Sequence, residues 1–318
     1  MASLAPSQTK RSMAVGDKRS LWKRINKDKH YLLMLAIPFV LMMVFRVLPI
    51  IGNVIAFRRF RMGGPLLGDR WIGLQHFQTF LSDSLFWDAF RNSVTLAVIN
   101  LGIGFPAPII LALLINEIPD GPFKRVTQTI TQLPRFLATV IVIAILREML
   151  AMETGIINQA IVALGGEAIH FLNRPEWFRT LFVGSATWQW VGFTSIIYLA
   201  ALTGVDPQLY EAASIDGAGR LKKIIHISIP GIQITIIYMM LLAIGQMLNF
   251  GLDRALLLYT PSNAATADII ETYVFRIGLE HNRFSYATAV GLFGSIIGVT
   301  LLTTSNYFSK KFADIGFF

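Results

Sequence analysis

Cysteine is absent from all 318 residues. That excludes disulfides, thiolate nucleophiles and cysteine metal sites. Histidine is scarce too: the five are scattered, none beside carboxylates at ligand spacing, so no metal site is expected. Charged residues make up only 15% of the chain, against about 25% in soluble domains. No GxxxxGK[ST] phosphate loop occurs, so ATP has no such cradle here. GIGFPAP at 102–108 is not a dinucleotide loop, because no strand pattern precedes it. The N-terminus lacks the short apolar core and small-residue cleavage site of a signal peptide, and its first apolar run is read as an uncleaved span. No internal repeat or low-complexity tract stands out.

What the chain has instead is apolar length. Hydrophobic residues make up 54% of it. About 20 apolar residues are needed to cross the hydrocarbon of a bilayer. Six runs reach that length: 31–57, 92–118, 126–150, 180–203, 232–251 and 286–308. The expected fold class is an all-α polytopic membrane protein with six transmembrane helices. A basic tail (1–30) precedes the spans (31–308), and a short tail (309–318) follows them. The formal net charge is +9, and eight basic residues fall in the first thirty. Basic arms of this kind also bind nucleic acid. Next to a span they hold a terminus in the cytoplasm, and no nucleic-acid partner is expected. Lys310/Lys311 and the loops carrying Lys124/Arg125 and Arg220/Lys222/Lys223 agree with both termini being cytoplasmic. The arginines 58, 59, 61 and 70 in the first outward loop run against the rule, which weighs long translocated loops less.

Ionisable and polar residues inside spans are candidates for a substrate path. Arg46 lies in the first run and Arg135 in the third, as path residues, as helix–helix contacts or as snorkelling side chains. In the fifth, Gln246, Asn249 and Asp253 follow at i, i+3 and i+7, which would put them on one helix face. In the fourth, Ser185, Trp188, Gly192 and Ser195 would share a face with Gln189 beside them. Amides that bond hydroxyls, next to aromatics that stack on sugar rings, suit a carbohydrate path. The same residues also glue helices together or sit at membrane interfaces. Gly294 and Gly298 form a GxxxG pair, a sign of close helix packing. Ser185 and Ser295 lack a histidine base in the last span, so an intramembrane protease is disfavoured, and no catalytic residue is assigned.

One polar stretch interrupts the apolar pattern: EAASIDGAGRLKKIIHISIP at 211–230. Asp206 and Pro207 predict a helix start. Gly217 permits a bend, a second short helix begins near Arg220, and Pro230 is expected to end it. The product is a helix–turn–helix on the cytoplasmic face, either docked to a protein or lying on lipid headgroups.

Glu211-Ala212-Ala213, then Gly217, then Ile227-x-Ile229-Pro230 resemble the EAA loop of binding-protein-dependent ABC importer permeases. Asp216 and Ala218 extend the match to the sugar-importer form, EAAxxDGA. Ile229 replaces the usual leucine, and Ile234 stands where a second proline is common. The resemblance implies the six-helix type I importer fold, with 206–230 as a coupling loop docked on an ATPase. Glu211 would face a basic residue there, Ala212 and Ala213 would permit close packing, and Gly217 would make the turn. The segment 267–293 (ADIIETYVFRIGLEHNRFSYATAVGLF), GIIN at 155–158 and WQWVGF at 188–193 resemble the subgroup that imports oligosaccharides, often uronate-containing ones such as aldouronates, galacturonates or alginate fragments.

The implied partners are a second, homologous permease, expected to be a different chain, two copies of an ATP-binding subunit holding ATP and Mg, and an extracytoplasmic solute-binding protein. The cargo is an oligosaccharide and the location the bacterial inner membrane. The rival reading, a secondary transporter driven by ion gradients, would show internal repeats and carboxylates within spans.

Overall fold

The structure, a computed structural model, describes residues 28–249, 251–313 and 315–316. The basic tail expected over 1–30 lies, up to residue 27, outside the described residues. The chain forms two units, Met1–Val54 and Ile55–Phe318. The first holds all but the last three residues of α1 (Lys29–Phe57), 29 residues of high mean hydropathy, about 43 Å long at 1.5 Å per residue.

The second unit opens with a hairpin, β1 (Arg58–Arg59) antiparallel to β2 (Arg70–Trp71). The short α2 (Gln75–Leu81) follows, then α3 (Ser84–Asn116), α4 (Pro122–Phe136), α5 (Thr139–Met149), α6 (Ile156–Ala163) and α7 (Pro175–Leu202). The chain then forms α8 (Pro207–Ile215), α9 (Arg220–Gly231), α10 (Gln233–Gly245), α11 (Leu252–Leu258), α12 (Ile270–Phe275) and α13 (Phe284–Ala313). Three helices are long and apolar enough to cross a membrane alone: α1, α3 and the stretch Phe284–Lys311. Three bent pairs raise the number to as many as six.

Those bends correct three expectations. The third run, 126–150, is not one helix: α4 and α5 meet at 100°. Past Pro134, Leu137 and Ala138 take extended backbone, with ψ of 136° and 145°. The fifth run ends early, because α10 stops at Gly245 after 13 residues. Pro230 does not end its helix; α9 runs through it to Gly231, and the 65° bend falls at Ile232.

The way α9 tolerates Pro230 recurs. A π-helical turn occupies Ile224–Ser228, two residues before Pro230. Met43–Val47 stands in the same relation to Pro49, and Asn100–Gly104 to Pro106. Proline brings no N–H and its ring crowds the carbonyl four residues back. That carbonyl lies inside the widened turn each time. The helix therefore continues instead of breaking.

α3 strings the core together. Near its start, Phe86 and Ala89 join Phe80, Tyr273, Tyr286 and Val290 in an aromatic cluster. Midway, Leu96 meets Ile143, Phe178, Phe182, Ala255 and Leu258. At its far end, Ala112 and Leu113 pack on Tyr198, Leu202 and Ile232. Irregular backbone beside the helices is satisfied by buried amides, since a buried main-chain polar group needs a partner. Asn92 Nδ2 donates to the carbonyls of Ala265 (2.8 Å) and Asp268 (3.0 Å). Asn263 Nδ2 donates to those of Leu172 and Leu258, at 2.9 Å each. Asn158 Oδ1 accepts from the Ile169 N–H at 2.8 Å, and its Nδ2 donates to three carbonyls.

Candidate functional site

The polar stretch folds as a closed, self-capped unit. Asp206 caps α8 by accepting from the Gln208 N–H at 2.9 Å, and Pro207 opens the first turn. At the other end the Ala218 N–H reaches the Ala213 carbonyl (2.8 Å) and the Gly217 N–H that of Ser214 (3.1 Å). This is a Schellman cap, and Gly217 sits in its left-handed position with φ +73°. α9 folds back beside α8: Tyr210 Oη and Ser228 Oγ lie 3.0 Å apart, and Lys223 Nζ donates to Ser214 Oγ at 2.6 Å. With the bonding groups used internally, Glu211, Ala212, Ile215 and Asp216 are exposed, Ile215 by 87%. Ala213, Ala218 and Ile227 are half-buried against the unit, and Pro230 is exposed. A 77° bend sets this unit across the end of α7. Arg220 there lies 4.0 Å from Glu117, just beyond the end of α3.

The path candidates divide. Gln246 and Asn249 do approach each other, lining a cavity of about 220 Å³ with Asn100. Gln246 and Asn100 also line a second cavity, of about 410 Å³, with Trp190, Thr187 and Tyr198. Thr187 Oγ1 is buried there without a partner. Asp253 does not share their helix face, because α10 ends at Gly245 and Gly251 (φ +93°) restarts the chain before Asp253 enters the first turn of α11. Trp188 leaves the α7 face it was grouped with. Ser185, Gln189, Gly192 and Ser195 are buried, whereas Trp188 is 51% exposed.

Arg135 stands at the α4–α5 break, in the short turn Leu133–Phe136. Its guanidinium lies 3.8 Å from the centroid of the Trp190 ring and 5.6 Å from that of Phe193. Such cation–aromatic stacking is worth about 0.5–2 kcal/mol. Arg135 Nε is buried without a partner. Arg46 lies in the π turn Met43–Val47 of the first unit, with no hydrogen bond or ion pair among the described residues.

Gln189 is a joint. Its Nε2 donates to the Leu137 carbonyl (2.8 Å), freed where α4 breaks, and its Oε1 accepts from Arg254 Nη2. Arg254, 4% exposed, also donates to Ser185 Oγ at 2.7 Å. Sequence reasoning missed Arg254 because it falls outside the long apolar runs. The available signal was a lone arginine in LDRALLLY. Among the described residues no three His, Asp or Glu side chains gather at metal-ligand distance.

The described residues thus form a helical bundle with an exposed, self-capped helix pair at one end. The model of the family "binding-protein-dependent transport system inner membrane component" matches residues 104–313, and the chain belongs to this family. It is 41% identical over 301 residues to the polygalacturonan/rhamnogalacturonan transport system permease protein YteP of Bacillus subtilis (strain 168), covering 95% of this chain and 94% of that one. Protein LplB of the same organism is 40% identical over 93% of this chain and 94% of its own. A bacterial ABC transporter involved in import of the acidic polysaccharide alginate contains a chain of the same fold. The TM-score is 0.84 at 36% identity, over 92% of this chain and 99% of that one. A second structure, in complex with an alginate pentasaccharide-bound periplasmic protein, gives 0.85. The expected fold is thus the observed one: the permease subunit of a type I ABC importer.

Proposed function

We propose that this permease carries acidic, uronate-containing oligosaccharides across the inner membrane, with both termini in the cytoplasm. The observation that supports this best is the pairing of relatives. The matched polygalacturonan/rhamnogalacturonan and alginate systems both handle polyuronates, at 41% and 36% identity over more than nine-tenths of this chain. Cargo would arrive from a solute-binding protein and pass Asn100, Gln246 and Asn249, whose amides suit hydroxyls, beside Trp190. Arg135, held face-on by that ring, would supply counter-charge, because a guanidinium binds a carboxylate bidentately. Arg46 would do the same in α1. Gln189 and Asp253 line neither cavity, and Trp188 faces outward.

Uptake in reconstituted vesicles, normalised to folded transporter, tests the assignment with a tri-uronate and a neutral trisaccharide. Arg135→Gln or Arg46→Gln should lower uptake of the acidic sugar about tenfold, the value of one charge-assisted contact, and spare the neutral one. Equal losses for both sugars would make these arginines structural.

The exposed face of α8 would be the joint to the ATPase: Glu211 would meet a basic residue, Ala212 and Ala213 would allow close approach, and Asp216 and Ala218 would frame the turn. Ile227 and Pro230 would hold α9 behind it. ATP and Mg would stay on two partner ATPase subunits, a second homologous permease would complete the path, and this chain would perform no bond chemistry. Transport would follow rigid-body alternation between inward- and outward-open states.

Gly217→Val should abolish uptake while leaving the melting temperature of the bundle in place. A β-branched residue at φ +73° costs about 1–2 kcal/mol locally, and the cap that aims α8 is lost. Glu211→Lys should uncouple similarly by placing like charge against the basic partner. Normal uptake in both variants would refute the coupling role.

Orientation is readable because the chain has no cysteine of its own. Cysteine introduced at Ser262 should react with an impermeant thiol reagent on intact cells, and cysteine at Ser214 should not. The reverse pattern would invert the topology.

A further inference from the structure

The hairpin stands at the opposite end of α3 from the Glu117–Arg220 contact, about 50 Å away along 33 residues. It is firmly rooted: the Phe60 N–H donates to Ser285 Oγ at 3.0 Å, Phe60 meets Phe284 edge-on, and Phe57 stacks on Trp71 and Phe77. Its register sets Arg59 directly opposite Arg70. Like charges at a cross-strand pair are destabilising, and nothing in folding requires them there. Arg61 follows, exposed, and Asp69 is the single carboxylate in residues 58–76. Among the described residues, Arg58, Arg59, Arg61, Arg70 and Arg283 make no ion pair.

Two buried polar atoms at this site also lack partners: Arg58 Nε and His76 Nε2. Burial, together with the charges of Arg283 and Arg59, keeps the His76 imidazole below its ordinary pKa, against a hydrogen bond to the Arg58 main chain that raises it. A neutral ring nitrogen accepts from a hydroxyl. Cations for a carboxylate, beside an acceptor for a hydroxyl, are the two halves of a uronic acid. A phosphodiester supplies only the first.

We infer that this hairpin is an outer capture site for the acidic saccharide, in which Arg59 and Arg70 grip a carboxylate before the sugar reaches the spans. This rests on the acidic-cargo reading. A rigid cationic patch raises the local concentration of a polyanion and speeds its arrival. The placement answers why arginines crowd a translocated loop.

The test uses the assembled transporter in nanodiscs of neutral lipid, without binding protein, and equilibrium dialysis against trigalacturonate or maltotriose. Trigalacturonate should bind in a salt-sensitive manner. The Arg59→Gln/Arg70→Gln pair should weaken it at least about tenfold, the Arg59→Lys/Arg70→Lys pair should recover part of the loss, and maltotriose should show no difference. Unchanged thermal unfolding of the variants separates capture from misfolding. Equal binding of trigalacturonate by the glutamine variant overturns the inference. So does a loss that appears only in anionic lipid, or only as weaker docking of the binding protein whatever sugar it carries. Import is scored separately: if the unaltered transporter moves maltotriose and no uronate, the acidic-cargo reading itself fails.

Discussion

Gly192→Ala should cost the protein more stability than any other single methyl added to α7. A Cβ at 192 would lie 1.9 Å from the Thr131 carbonyl oxygen and 2.3 Å from its carbon. Both are backbone atoms, so no side chain can swing aside. Relief requires α4 and α7 to separate by more than 1 Å, and overpacking of this kind costs about 1–3 kcal/mol or more. Gly184 on the same helix is the control, because a Cβ there meets nothing within 4 Å. Gly184→Ala should stabilise the helix by about 0.8–1 kcal/mol from propensity alone. Thermal unfolding in detergent should therefore move in opposite directions for one chemical change at two sites eight residues apart. A Gly192→Ala protein as stable as the parent would mean that α4 does not rest on α7 as described.

The second large effect is expected at Arg254. Arg254→Met keeps much of the volume but strips Gln189 Oε1 of its donor, and should cost about 2–3 kcal/mol. Gln189→Leu leaves a buried guanidinium short of an acceptor and frees the Leu137 carbonyl, so it should cost more, about 3–5 kcal/mol. The double variant removes both halves and should be less damaged than the two losses added together. A double-mutant cycle in thermal unfolding reads that difference directly. Strict additivity would show that the two side chains, 65 residues apart in sequence, do not depend on one another.

The apolar runs were legible because bilayer thickness imposes a length that sequence displays openly. The turn at 206–218 was legible for a different reason: Asp206, Pro207 and Gly217 each carry a backbone preference that acts locally. The break at Leu137–Ala138 was not, since apolar residues look alike in extended and helical backbone, and Pro134 alone did not locate it. The grouping of Asp253 with Gln246 and Asn249 failed because helical spacing has meaning only where the helix persists, and Gly245 and Gly251 interrupt it. Arg254 was hidden for the opposite reason. Its burial depends on α7, which no local pattern around 254 could reveal.

The widened turn at Asn100–Gly104 has a consequence for the whole length of α3. A π turn is an α-helix with one residue too many, and that extra residue advances everything after it by about 100° around the axis. Asn92 and Ser93 before the turn, and Ala112, Leu113 and Glu117 after it, are therefore set in angular phase by a single inserted position. Deleting one residue within 100–104 would turn the far end by that angle, carrying Ala112 and Leu113 off Tyr198 and Glu117 away from Arg220, and would press the Pro106 ring onto the carbonyl four residues back. The turn acts as the vernier that aligns one end of the helix with the other.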